Sequence, residues 1–121
     1  MKKRIVLIDD DRLILDIASE FLSRAGFQVD STGCGLSSNG LIYTTPPPDL
    51  ILVDVMMPLM SGDKKLKSLK TNKLSRNIPV VLMSAKPEEE LKALAKDCGA
   101  DGYLTKPFSD SSLVSMVRKF I

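Results

Sequence analysis

The apolar run DLILVDVMMP, residues 49–58, has a carboxylate, Asp54, where its strand-like part should end. A charge at the rim of a core is costly unless something pairs with it. Two further acids, Asp9 and Asp10, close the apolar run RIVLI at residues 4–8, and Asp11 follows them. A hydroxyl, Ser84, ends NIPVVLMS, and an ammonium, Lys106, follows GYLT. If Asp9, Asp10 and Asp54 converge, their charges repel and raise one another's pKa. A divalent cation would relieve that repulsion, and carboxylates with carbonyl and water oxygens are what Mg²⁺ prefers. A cation, an ammonium and a hydroxyl grouped round one carboxylate suit phosphoryl transfer, which needs charge neutralisation and a positioned nucleophile. Asp54 can be that nucleophile, forming an acyl phosphate.

Taken singly, each residue has an ordinary role. Asp11 reads better as a helix N-cap than as a ligand. Asp9 and Asp10 suit a strand-to-helix turn, and Ser84 a turn bonded to its own backbone. Lys106 could be a plain surface lysine, and Tyr103 a half-buried strand aromatic. Their joint placement carries the functional reading. In an open α/β sheet, ligands bind outside the carboxyl ends of the strands. Every predicted strand except the second delivers a polar or charged group to that one edge.

The elements that must position these groups alternate along the chain. RIVLI reads as a strand covered on both faces. After the Asp11 cap, Ile14, Ile17, Ala18 and Phe21 fall on one helical face, and Gly26 is a stop signal. FQVDS reads as a weaker, partly exposed strand. Residues 33–45 hold Gly33, Gly35, Gly40, Ser37, Ser38 and Asn39, so a helix there is short or irregular. Pro46, Pro47 and Pro48 forbid helix and lead into the strand that ends at Asp54. Ser61 and Gly62 mark a turn before a Lys-rich helix with Leu66 and Leu69 inward. Pro87 suits a first helical position, followed by the acidic first turn Glu88, Glu89 and Glu90. Leu91, Leu94, Ala95 and Cys98 share a face, and Gly99 ends that helix. Leu113, Met116, Val117 and Phe120 mark a last helix. Five β–α units at this spacing predict a doubly wound parallel sheet with helices on both faces.

Bulk properties narrow the function. The chain has 121 residues, 44% of them hydrophobic and 26% charged, as in an ordinary soluble domain with a real core. A net charge of +2 is too small to argue for nucleic acid. The basic stretch KKLKSLKTNKLSR, residues 64–76, reads as a solvated helix face. The absence of histidine removes His-based catalysis and ligation. Cys34 and Cys98 match no metal spacing, so a reducing compartment is the default. The apolar run after the basic N-terminus is too short for a signal peptide or a membrane span, so a cytoplasmic location is expected. The apolar end Phe120-Ile121 suggests a domain cut from something longer, with a short native protein as the alternative.

The pieces VLIDDDRLIL, DLILVDVMMPLMSG, IPVVLMSA and GADGYLTKPF, in this order and spacing, resemble the receiver domain of bacterial two-component response regulators. The resemblance runs through the whole chain, residues 1–121. It implies a flavodoxin-like (βα)5 fold with strand order 2-1-3-4-5. It implies that Asp54 is the phosphoacceptor, and that Asp9, Asp10, Asp54 and the main-chain carbonyl of Met56 hold Mg²⁺, or Mn²⁺ in its place. Ser84 would be the hydroxyl that moves toward the phosphoryl group, and Tyr103 the aromatic that changes rotamer with it. Lys106 would pair with Asp54 and then with the phosphate, across a cis Lys106–Pro107 bond.

The implied function is a signalling switch rather than an enzyme, although it would contribute to its own phosphorylation and slow dephosphorylation. The donor would be a sensor histidine kinase or a histidine phosphotransfer protein. Phosphorylation would change the face built by the fourth helix, fifth strand and fifth helix. That face would be read by a separate effector or a missing output domain, with the chain a monomer or a phosphorylation-linked homodimer. No nucleic-acid or membrane partner is expected within this chain.

Met56 and Lys86 stand where side chains of the family affect how water reaches the phosphate. Met56 cannot orient water, so slow autodephosphorylation is expected; an unchanged half-life in Met56→Asn would count against this. The alternative reading is a receiver that has lost switching and serves as a docking module, against which the intact Asp54, Ser84 and Lys106 argue. A haloacid-dehalogenase-like phosphatase would need a second Asp where Met56 stands. A flavodoxin-like electron carrier would need a hydroxyl- and glycine-rich phosphate loop where this chain has three acids.

Overall fold

A computed structural model describes residues 2–57 and 59–121. Five strands alternate with five helices. They are β1 Arg4–Ile8, α1 Arg12–Arg24, β2 Gln28–Thr32, α2 Asn39–Ile42, β3 Leu50–Asp54, α3 Gly62–Thr71, β4 Val80–Ser84, α4 Glu88–Cys98, β5 Gly102–Thr105 and α5 Asp110–Arg118. The strands form one parallel sheet in the order β2-β1-β3-β4-β5, as expected. Every residue of β3 and β4 is buried, which is why these strands read as continuous apolar runs rather than alternating ones.

Alternate strand residues feed two cores. Val6, Ile8, Ile51, Val53, Val80 and Leu82 pack with Leu66 and Leu69 of α3 and with Leu91, Ala95 and Cys98 of α4. Ile5, Leu7, Leu50, Leu52, Val81 and Met83 pack on the other side with Leu15, Ala18 and Leu22 of α1 and Leu113 and Val117 of α5. Both faces are therefore covered, and the strand ends are left as the open edges.

Helix ends follow local chemistry. The Asp11 carboxylate accepts hydrogen bonds from the N–H groups of Leu13 and Ile14, so it is the cap it was expected to be. Gly26 and Gly99 take positive φ, 98° and 80°, and stop α1 and α4.

Four local expectations need correction. The inward face of α1 centres on Leu15, Ala18 and Leu22, with Phe21 only partly buried, because the helix packs against both the sheet and α5. Pro87 is the N-cap of α4 with extended backbone, one residue before the first helical position. The Lys-rich helix is not a uniformly solvated face. Lys65 is 2% exposed and donates to Asn39 Oδ1, and Lys70 bridges Asp101 Oδ2 and the Ile78 carbonyl. A second cis bond, Thr45–Pro46, accompanies the expected cis Lys106–Pro107. The short second helix is as expected: α2 has four residues and its N-cap residue, Ser38, makes no capping bond.

Candidate functional site

The parallel sheet ends its strands at a common edge, and three acids meet there. Asp9 and Asp10 follow β1, and Asp54 is the last residue of β3, the strand beside it. One carboxylate oxygen from each of Asp9, Asp10 and Asp54 lies within 4.8 Å of the others. Asp9 is fully buried and Asp54 is 4% exposed, whereas Asp10 is open to solvent.

Lys106, just beyond β5, reaches across the edge. Its Nζ donates to Asp9 Oδ2 at 2.6 Å and to Asp54 Oδ1 at 3.0 Å. Asp9 Oδ1 meanwhile accepts the Asp11 N–H at 2.9 Å. Burial raises the Asp54 pKa, with the negative charges of Asp9 and Asp10 adding to it, against the opposing hydrogen bond from Lys106. Burial alone would lower the Lys106 pKa, but hydrogen bonds to Asp9 and Asp54 more than offset it and the net direction is up. The ammonium therefore stays charged between two carboxylates, and the cluster holds one more negative group than it has positive partners.

Ligand oxygens round an octahedral Mg²⁺ at about 2.1 Å lie at most about 4.2 Å apart. The three carboxylates approach that spacing without rearrangement of the strands. The donor set is hard oxygen throughout. Among the described residues nothing donates a hydrogen bond to the Met56 carbonyl, which follows Asp54 by two positions. The residues present fit a small divalent cation.

The other residues singled out in the sequence lie nearby in different states. Ser84 is fully buried at the end of β4, and its hydroxyl accepts the Lys86 N–H at 3.1 Å. Among the described residues it makes no hydrogen bond with Asp54. Tyr103 points its hydroxyl away from the acids and donates to Glu88 Oε1 at 3.2 Å, at the start of α4. The Met56 side chain is 64% exposed.

One positional residue was under-read. A Cβ on Gly62 would stand 2.2 Å from the carbonyl oxygen of Asp54 and 2.9 Å from Val55 Cα. The first turn of α3 thus rests backbone-on-backbone against the end of β3, and Gly62 N–H donates to the Val55 carbonyl at 3.0 Å. Its sequence signal, a Ser-Gly pair before a helix, looks the same as any turn.

A five-strand sheet in this order with an acid cluster and a lysine at its carboxyl edge is the architecture of a phosphoryl-accepting signalling module. The response regulator receiver domain family model matches residues 5–118, and the chain belongs to that family. It is 39% identical over 119 residues to the phosphate regulon transcriptional regulatory protein PhoB of Escherichia coli, covering 98% of this chain and 51% of that one. A putative response regulator from Chloroflexus aurantiacus superposes with a TM-score of 0.92 at 26% identity, over 99% of this chain and 98% of the other. The receiver domain of the sensor histidine kinase PA1611 from Pseudomonas aeruginosa, whose structure has a magnesium ion in the active-site cleft, shares the fold. Its TM-score is 0.88 at 19% identity, over 99% and 98% of the two chains. The chain spans about half the length of the curated relatives it matches. Receiver domains are signalling modules rather than enzymes in the usual sense. Among the described residues no helix is long and apolar enough to cross a membrane.

Proposed function

We propose that Asp54 accepts a phosphoryl group from a phosphohistidine on a sensor kinase or phosphotransfer protein. The observation that carries this reading is the meeting of Asp9, Asp10 and Asp54 within 4.8 Å, with Lys106 bonded to two of them. An Asp54 oxygen attacks phosphorus, the P–N bond to the donor imidazole breaks, and a P–O bond gives an acyl phosphate. The imidazole leaves with the electron pair and takes up a proton. Asp9, Asp10, Asp54 and the Met56 carbonyl would hold Mg²⁺, which when bound neutralises charge on the transferring oxygens. Burial keeps water from the Asp54 carboxylate and so leaves its lone pairs free to attack. Lys106 releases part of its hold on Asp54 and donates to the incoming phosphoryl oxygens.

The added group carries about −1.5 to −2 charges. It draws the Ser84 hydroxyl from the Lys86 N–H, and Tyr103 leaves Glu88 and turns inward. Ser84 and Tyr103 sit on β4 and β5, so the reshaped surface is the one formed by α4, β5 and α5. The output is a biased two-state equilibrium read by an effector or by a further domain, as the family membership supports.

Incubation with acetyl phosphate and Mg²⁺, followed by mass mapping, tests the assignment. One phosphoryl group on Asp54 is expected, lost in Asp54→Asn and kept in Asp97→Asn, whose carboxylate is exposed on α4. Label that persists in Asp54→Asn would overturn it.

A further inference from the structure

Leu59 is 86% exposed and holds a left-handed backbone, φ 68°. Glycine adopts that conformation freely; a bulky side chain there strains the backbone and gains nothing from burial. A residue that costs the isolated fold on both counts is explained by a surface that covers it. Its surroundings agree. Among the described residues the exposed large hydrophobic side chains are Leu13, Leu36, Met56, Leu59 and Leu74. The first four all lie in the segments that follow β1, β2 and β3, at the edge that carries the acids; Leu74 alone lies elsewhere. The segment after β2 reaches the one after β3: a Cβ on Gly35 would sit 3.5 Å from Met57 Cε and from the Met60 carbonyl.

What must cover this rim follows from the depth of Asp54, and this step rests on the proposed function. The Asp54 carboxylate is 4% exposed. Transfer needs the reacting atoms about 3–3.5 Å apart. A histidine side chain is short, so the protein surface that bears it has to rest on the rim round the pocket. We propose that Leu59 is the apolar anchor of that docking surface. Its occupant is the helix face of the phosphodonor, apolar beside its phosphohistidine, with Leu13 and Met56 flanking the contact. Small donors, which reach Asp54 without a protein surface, would not use it.

The test compares two donors on wild type, Leu59→Gly and Leu59→Met. One donor is acetyl phosphate; the other is the phosphorylated helical phosphotransfer domain of a sensor kinase chosen from a panel because it labels the wild-type chain. Leu59→Gly is expected to melt no lower than wild type, to accept from acetyl phosphate at an unchanged rate, and to accept from the phosphodonor domain about tenfold more slowly. Leu59→Met should restore most of that rate. An unchanged rate from the domain overturns the inference. So does equal slowing with both donors, which would make Leu59 a support of the pocket. A wild-type dimer that sediments as a monomer only in Leu59→Gly would replace the donor with a second copy and also overturn it. Labelling by acetyl phosphate but by no domain of the panel removes the occupant while leaving Asp54 as acceptor. Failure of both donors is the failure of the proposed function itself.

Discussion

Helices α1 and α2 follow neighbouring strands and are held in opposite ways. Helix α1 has thirteen residues, a side-chain cap from Asp11, and a buried stripe of Leu15, Ala18 and Leu22. Helix α2 has four residues, no side-chain cap, and one buried hydrophobic, Ile42. Its region is tied instead by polar groups from far away in sequence. Arg4 Nε donates to Asp30 Oδ2 at 2.7 Å, its NH1 to Thr44 Oγ1 at 3.1 Å, and its NH2 to the Leu41 carbonyl at 2.6 Å. Lys65 donates to Asn39, Tyr43 shares a hydrogen bond with Ser75, and the buried Ser38 hydroxyl donates to the Gly35 carbonyl. Apolar periodicity makes one helix, and a clamp of directed hydrogen bonds makes the other. The first tolerates small changes of volume; the second depends on partners being present.

The largest effect should come where the body of the fold has no room at all. Gly62→Ala puts a methyl against the Asp54 carbonyl, a backbone contact that only displacement of α3 or β3 relieves. Overpacking costs about 1–3 kcal/mol and more against a rigid backbone. Thermal unfolding should fall by several degrees, and acetyl phosphate labelling of Asp54 should fall with it. A variant of wild-type stability and labelling would show that the two segments are looser than they stand.

Next come two substitutions of similar cost and different reach. Leu22→Ala removes a fully buried side chain from α1, at about 2–5 kcal/mol. Arg4→Met strands the Leu41 carbonyl and the Asp30 carboxylate, at about 2 kcal/mol. Hydrogen exchange separates them. Leu22→Ala should lower protection throughout the sheet, whereas Arg4→Met should first expose residues 39–44. If both variants lose protection everywhere together, α2 is part of the main cooperative unit and the contrast fails.

The smallest effect is expected at Lys65. Burial lowers its pKa, while the Cys34 thiol, itself pulled down by backbone hydrogen bonds from Ser37 and Leu36, acts to raise it. A lysine whose folded pKa lies below its unfolded value binds fewer protons folded than unfolded. The unfolded state therefore holds the extra proton, and stability rises as pH climbs from the folded value to the ordinary lysine range. Lys65→Met should be as stable as wild type or more so at neutral pH, and that advantage should shrink at alkaline pH. An advantage that grows with pH would reverse the sign and refute the burial account.

The legible parts of this fold are those coded locally. Strand runs, the Asp11 cap, the Gly26 and Gly99 stops and the inward Leu66 and Leu69 can all be read within a few residues of themselves. The strand order was legible only through the family resemblance, since apolar runs do not state their neighbours. The acid cluster was legible because a parallel sheet brings its strand ends to one edge whatever lies between. Arg4 gave no signal, as its partners lie 26 to 40 positions away. Lys65 and Lys70 sat in a charged stretch whose average is solvated, and burial of individual lysines depends on Asn39 and Asp101 from other segments. Gly62 looked like a turn because the close approach of two backbones leaves no mark in composition.

Divalent-cation binding by wild type and by Asp10→Asn tests most directly whether the crowded carboxylates form a cation site. Asp10 is exposed and its loss leaves the Lys106 bridge intact, so the folded chain should survive the change. Titration of each with Mg²⁺, followed by calorimetry and by the rise in melting temperature that a ligand of the native state produces, should show one site in wild type and marked weakening in Asp10→Asn. Equal affinity in the two proteins, or no saturable binding in wild type, would contradict it.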